Sequence, residues 1–242
     1  MFKIDNYVAV DIETTGLKPK TDRIIEIGAV LVRDGVIVDK KDWLINPKCA
    51  ISEFVTGLTG IDDKMLENAP TIEEVMPEFI SFCSEDVLLG HHIITDFSFL
   101  KRNAVNNGFV FEKKAIDTLK LARVILSDME KKSLEYLRKE LNLGANRSHR
   151  ALDDALATVE LYNYMAELAK ANEEWQALFA PHELRYVVKK ESLATPVQKK
   201  NLRKILEYHN LKLAVDIDTL TKNEASRYID TIISEHGRMP KV

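Results

Sequence analysis

VAVDIETTGL fills residues 8–17. Val8, Val10 and Ile12 share one parity; Asp11 and Glu13 share the other. A strand alternates its side chains between two faces, so the apolar set can meet a core while both carboxylates stand together on the opposite face. Two anions at that spacing repel unless a cation lies between them. A divalent metal answers the need, and Mg²⁺ prefers carboxylate oxygens. The competing description is a strand end carrying two solvated acids, the ordinary state of Asp and Glu. Thr14-Thr15-Gly16 then turns the chain.

The neighbourhood supports a sheet. DRIIEIGAVLVRDG (22–35) and VIVDKKDWLI (36–45) read as two further strands, and Asp34-Gly35 between them is a hairpin signal. A loop-rich stretch follows over 46–70. Thr71-Ile72-Glu73-Glu74 is a capping box that opens a helix to about Phe82. DVLLG (86–90) is a short buried strand, FSFLKRNAVNNG (97–108) a helix, and AIDTL (115–119) a strand passing into a helix. SLEYLRKEL (133–141) is helical, and apolar positions 152, 155, 156, 159 and 162 predict a long helix from about Arg150 to Asn172. Strands come first as a meander and then alternate with helices. That pattern predicts an α/β fold with a mixed sheet.

Residues 1–172 therefore read as one domain. The pattern loosens over 173–194, a linker or docking segment. Thr195-Pro196-Val197-Gln198 and Thr221-Lys222-Asn223-Glu224 then cap two helices, the second ended by Gly237, so 195–242 is a small helical module. Between residues 184 and 212 the chain is basic, with Arg185, Lys189, Lys190, Lys199, Lys200, Arg203, Lys204 and Lys212. Such a stretch is either a nucleic-acid backbone contact or a solvated helix face.

The 242 residues carry 34 Lys+Arg against 38 Asp+Glu, a formal charge of −4. That balance argues against a polycation that coats nucleic acid, though not against a nucleic-acid enzyme whose bound ions supply local positive charge. Two widely separated cysteines, Cys49 and Cys83, with no CxxC pair, predict neither a disulfide framework nor a zinc site. The N-terminus lacks the apolar core of a signal peptide, and Glu26 interrupts even IIEIGAVLV. A cytoplasmic protein without a membrane partner is expected.

Three more polar residues join the first two acids. Asp96 follows strand DVLLG in GHHIITDFSFL, where an N-cap is its simplest role. Asp154 lies in SHRALDDA at the start of the long helix, where an acid suits the macrodipole. Four acids at the ends of different sheet elements mark the usual place for a site in an open α/β sheet. His149 lies five residues before Asp154. On a continuous helix that is about 140° around the axis, so His149 is expected on the loop entering the helix. There an imidazole of pKa about 6.5 suits a general base, and an exposed loop histidine is the plainer alternative.

DIETTG, LTGIDDKMLENAPTIEEV, GHHIITDFSFL, DTLKLAR and HRALDDA occur in that order over residues 5–168. The set resembles the DnaQ-like 3′→5′ exonucleases of the DEDDh class, nearest to the proofreading domain of C-family replicative polymerases and the related epsilon subunit. The resemblance implies a ribonuclease H-like sheet flanked by helices. It also implies phosphodiester hydrolysis at the 3′ end of DNA with two Mg²⁺ ions, Mn²⁺ being a substitute. Asp11, Glu13, Asp96 and Asp154 would be the metal ligands and His149 the general base. His-x₄-Asp spacing selects Asp154 over Asp153. Thr14, Thr15 and His92 would touch the terminal nucleotide. His92 and Thr95 depart from the family's His-Asn-x-x-Phe-Asp motif, which leaves DNA-versus-RNA preference open. Implied partners are single-stranded DNA or frayed 3′ ends, RNA in an exoribonuclease alternative, and a replicative polymerase. A non-catalytic accessory module and a small-nucleotide phosphatase are the other readings, and the retained acids count against the first.

Overall fold

β1 (Tyr7–Thr14) is the pivot of the sheet in the computed structural model, which describes residues 2–143, 149–188, 192–213 and 215–239. It extends through both acids and the first threonine. Its antiparallel neighbour is β2 (Ile24–Arg33), which in turn pairs with β3 (Val36–Leu44). Asp34 and Gly35 take φ of 51° and 76° at the hairpin between them. Positive φ at both central residues matches the right-handed twist of the flanking strands, and Asp-Gly tolerates it.

The expected loop over 46–70 instead holds two short helices, α1 (Glu53–Thr59) and α2 (Asp63–Leu66), each capped by a side chain, Ser52 and Asp62. α3 (Ile72–Cys83) starts at the Thr71–Glu74 capping box. β4 (Leu88–Gly90) follows, then α4 (Ile94–Asn106), β5 (Lys114–Asp117), α5 (Thr118–Ile125), α6 (Leu134–Leu141) and α7 (Ala151–Ala169). Within 173–194, read as a linker or docking segment, the chain adds α8 (Glu173–Ala177) and β6 (His182–Glu183), which pairs antiparallel with β5. Phe179 and Leu184 in this stretch are buried.

The sheet order is β3-β2-β1-β4-β5-β6. β1, β4 and β5 run parallel, and the rest are antiparallel. One face buries Val8, Val10, Ile12, Ile27 and Ala29 with Phe79 of α3 and Phe97 and Leu100 of α4. The other buries Tyr7, Ala9, Val30, Leu89 and Ile116 with Leu121 of α5, Leu137 of α6 and Ala155, Val159 and Tyr162 of α7. This is a ribonuclease H-like mixed sheet covered by helices on both sides. Asp11 and Glu13 share the parity of Tyr7 and Ala9, so they continue the face that α7 covers.

Gly28 explains how close α7 comes. A Cβ on Gly28 would lie 2.2 Å from the Ala151 carbonyl carbon and from the Leu152 nitrogen. Only glycine admits backbone at that range. Gly28 is also the register partner of Asp11, so the first turn of α7 is set directly beside the acid pair.

The chain divides into two compact units, residues 1–46 with 51–188 and residues 47–50 with 189–242. The second contains α9 (Pro196–Tyr208) and α10 (Lys222–His236), both opened by capping boxes as their sequences predict. Leu202, Ile205, Leu206, Leu220, Ala225 and Ile232 form its core. Lys199 and Arg203 are paired with Asp218, whereas Lys189 and Lys190 lie outside the described residues. No disulfide joins Cys49 and Cys83, and burial pushes the Cys83 thiol up to about 12. Among the described residues no helix is long and apolar enough to cross a membrane.

Candidate active site

Three elements deliver the predicted acids to one place. β1 supplies Asp11 and Glu13, the first turn of α4 supplies Asp96, and the first turn of α7 supplies Asp154. Asp96 and Asp154 are each 8% exposed. α4 begins at Ile94, earlier than the sequence predicts, so Asp96 lies inside the helix and Ile93 takes the N-cap position. His149 precedes α7 in the left-handed region, with φ of 63°. Its backbone N–H donates to Asp154 Oδ2 at 3.0 Å. That bond folds the loop back over the helix start, so five residues of sequence become one contact. Glu13, His149 and Asp154 each offer a ligand atom, and these atoms all lie within 4.8 Å of one another.

The electrostatics follow from crowding. Burial, then the neighbouring Asp96, Asp154 and Glu13, hold the Asp11 carboxyl well above the usual carboxylate range. Asp96 is raised by burial and then by Glu13. Glu13 is pushed up to about 8 by burial, Asp154 and Glu26, with Arg150 opposing. Burial also raises Asp154, against the pull of Arg138. Acids in this condition are short of positive charge, and a divalent cation relieves it. The carboxylate oxygens are hard donors that suit a divalent cation, with one imidazole nitrogen within the same reach. The cluster is thus a site for a divalent cation.

The predicted nucleotide contacts are held by local bonds. Thr14 Oγ1 donates to the Gly16 carbonyl at 2.6 Å, and Thr15 Oγ1 accepts from the Arg23 N–H at 2.9 Å. His92 is exposed, with φ of 65°, and its N–H donates to Asp117 Oδ1 at 2.9 Å. Asp117 also caps α5 through Leu119 N–H. His91 is fixed by Thr118 Oγ1 at 3.0 Å and the Lys132 carbonyl at 2.7 Å. The GHH loop is therefore anchored on both sides of His92.

The comparisons with known proteins agree with this geometry. The RNase T exonuclease family model (RNase_T, Exonuclease) matches residues 8–162, more than half of the chain.

The chain belongs to the RNase T exonuclease family.

It is 41% identical over 160 residues to the PolC-type DNA polymerase III of Clostridium perfringens, matching 66% of this chain and 11% of that protein. It is 36% identical over 157 residues to the DNA polymerase III subunit epsilon of Aquifex aeolicus, matching 64% of this chain and 78% of the subunit. The chain thus spans about a tenth of the length of the PolC-type relatives. Among solved structures, exonuclease X in complex with 5′-overhanging duplex DNA superposes with a TM-score of 0.57 at 28% identity, covering 72% of this chain and 99% of that one. Product-bound exonuclease I, at 16% identity and a TM-score of 0.59, shares the fold over 72% of this chain and 45% of its own.

In this RNase T family member three charged residues at the site escape a reading by motif. Arg138 of α6, 7% exposed, pairs with Asp154 Oδ1. Glu26 of β2 is fully buried and pairs with Arg150. Removing one partner of such a buried pair costs about 3–5 kcal/mol, because the other charge is left uncompensated. The signals existed in the sequence. Glu26 is the one charge in the apolar run from Ile24 to Val32, and arginine stands at the start of α7 where Ser, Thr, Asp or Asn is usual.

Proposed function

We propose that this chain is a divalent-metal-dependent exonuclease that removes nucleotides from the 3′ end of DNA, in a proofreading or repair role. The observation that carries the reading is the convergence of Glu13, His149 and Asp154 beside Asp11 and Asp96. Two divalent ions held there would lower the pKa of the attacking water and take up charge on the leaving 3′ oxygen. Asp11, Glu13, Asp96 and Asp154 would hold them. His149, whose ring nitrogen lies within reach of Glu13 and Asp154, would take the proton from the attacking water. Arg138 Nη1 donates to Asp154 Oδ1 and the His149 N–H to Oδ2, which together orient that carboxylate. Thr14, Thr15 and His92 border the place of the terminal nucleotide on the β1 turn and the loop before α4.

DNA is favoured because exonuclease X, a solved relative at 28% identity, is described on duplex DNA and the matched polymerases are DNA polymerases. A replicative polymerase is accordingly the protein partner to seek by co-purification. The deciding experiment is digestion of 5′-labelled single-stranded DNA and matched RNA with Mg²⁺ and with EDTA. A Mg²⁺-dependent ladder shortening from the 3′ end, faster on DNA, is expected. A faster RNA ladder would reassign the substrate. No ladder on either polymer from folded, metal-binding protein would sink the exonuclease reading.

A further inference from the structure

Glu26 takes no part in the chemistry proposed above, yet it holds a carboxylate at zero exposure in strand β2. A buried carboxylate persists only where its partners compensate for lost water. Here Oε1 accepts from Arg150 Nε at 2.9 Å and from Arg150 Nη2 at 2.5 Å, and Oε2 accepts from the Ala151 N–H at 2.8 Å. Those three bonds tie Glu26 to the start of α7, and its carboxyl also faces that of Asp42; the clustered ligand atoms are those of Glu13, His149 and Asp154.

The partners are specific in sequence. Arg150 and Ala151 are the two residues that follow His149 and lead to Asp154. In the sheet, Glu26 is the register partner of Glu13. One side chain thus links the strand pair that carries Glu13 to the peptide between the other two members of the three-residue cluster. α7 has no side-chain cap of its own at Arg150. Its first N–H would be an orphan donor, and Glu26 satisfies it from the sheet. Gly28, two residues along on the same strand face, admits the Ala151 backbone against the sheet. Contact at position 28 sets how near the helix lies; the bonds at position 26 set how its first turn is rotated. Asp42 of β3 steadies the outer side of the guanidinium, 3.7 Å from Arg150 Nη2.

We propose that Glu26, acting through Arg150 and Ala151, is a positioning residue that aligns His149 and Asp154 with Glu13. This rests on the proposed reading of those three as the working site. A filler of the core would matter only through folding. A positioning residue must also alter metal affinity and turnover in protein that stays folded.

The test uses the full chain in four forms: natural, Glu26→Gln, Arg150→Lys, and Arg33→Ala as a control on a pair remote from the cluster, Arg33 with Asp86. Mn²⁺ binding is measured by calorimetry without substrate, folding by thermal melting, and kcat and KM on single-stranded DNA at saturating Mg²⁺. Glu26→Gln keeps the shape and removes the charge; its Mn²⁺ affinity is expected to fall about 10- to 100-fold, the scale of losing a partner that orients a ligand. Its kcat falls while KM stays within about threefold, because ground-state binding of DNA is untouched. Arg150→Lys keeps the charge but loses the two-pronged geometry, and should move both quantities the same way by less. Arg33→Ala moves neither. A folded Glu26→Gln with Mn²⁺ affinity and kcat within about twofold of the natural chain overturns the positioning role. If Glu26→Gln does not melt cooperatively, Arg150→Lys decides by the same criterion. Natural protein that neither binds Mn²⁺ nor cuts DNA overturns the proposed function and this inference together; natural protein that does both, beside unchanged variants, overturns this inference alone.

Discussion

Asp11 and Asp218 are the same side chain in opposite circumstances. Asp218, exposed in the C-terminal unit, accepts from Arg203 at 2.9 Å and lies 3.3 Å from Lys199. Those two bases hold its carboxyl below the usual range. Asp11 is enclosed by acids, and burial together with Asp96, Asp154 and Glu13 drives it the other way. Asp218 has more positive charge than it needs. Among the described residues Asp11 meets burial and other acids and no compensating base, while Arg138 and Arg150 are engaged by Asp154 and Glu26. An acid cluster that is deliberately left short of bases is a socket for a cation, and a well-neutralised acid is a surface detail.

The sharpest way to break the contrast is to remove Asp11. Asp11→Asn should lower turnover by roughly 10³-fold or more, as expected of a group that acts on the reacting centre. Metal-free protein should melt no lower than the natural chain, since a repelling charge has gone. Turnover near the natural rate would end the metal reading. His149→Ala comes next. Loss of a general base should cost about 10²–10⁴-fold in kcat. Mn²⁺ affinity should change far less. A large loss of affinity with the saturated rate kept would make His149 a ligand, a role its distance to Glu13 and Asp154 permits.

Stability against pH is a smaller effect of known sign. Glu13 has its folded value raised to about 8 from 4.5, and Asp11, Asp96 and Asp154 move the same way. The folded state therefore holds these protons more tightly than the unfolded chain. Stability of metal-free protein is greatest in mild acid and falls as pH rises through the range up to about 8. With EDTA, the melting temperature should drop by roughly 5 °C or more between about pH 5.5 and 8.5. Added Mg²⁺ should raise it more at the higher pH, where fewer protons compete. A metal-free protein that gains stability over that range would contradict the crowding of the acids. Smallest of all, Asp218→Asn should shift the melting temperature by less than about 2 °C and leave turnover unchanged, because an exposed pair is screened by water. A loss of activity there would give the C-terminal unit a part in the chemistry.

What could be read from the sequence was whatever has a local cause. The Asp34-Gly35 hairpin, the capping boxes at Thr71, Thr195 and Thr221, and the parity that sets Asp11 and Glu13 against Val10 and Ile12 all depend on residues a few positions apart. α1 and α2 were hidden for a related reason. Their caps, Ser52 and Asp62, are ordinary, but seven and four residues are too few to show a helical period. The bond from Glu26 to Arg150 spans 124 positions, and no periodicity reaches so far. Glu26 was visible only as an interruption in an apolar strand. Its meaning needed the helix that lands on it. Arg138 is similar: within α6 it passes for a last-turn base that suits the helix dipole, and only the packed fold shows it on Asp154.

Gly28 has a consequence for how such chains can diverge or be recombined. The clearance between β2 and the start of α7 is smaller than one methyl group. A substitution there would lift Asp154 and His149 from Asp11 without altering any of them, so a lineage could silence its site while keeping every acidic signature intact. Anyone grafting the α7 segment from one relative onto the sheet of another must carry β2 with it, as a single heritable block. A search for living enzymes among lookalikes would do well to inspect position 28 before counting carboxylates.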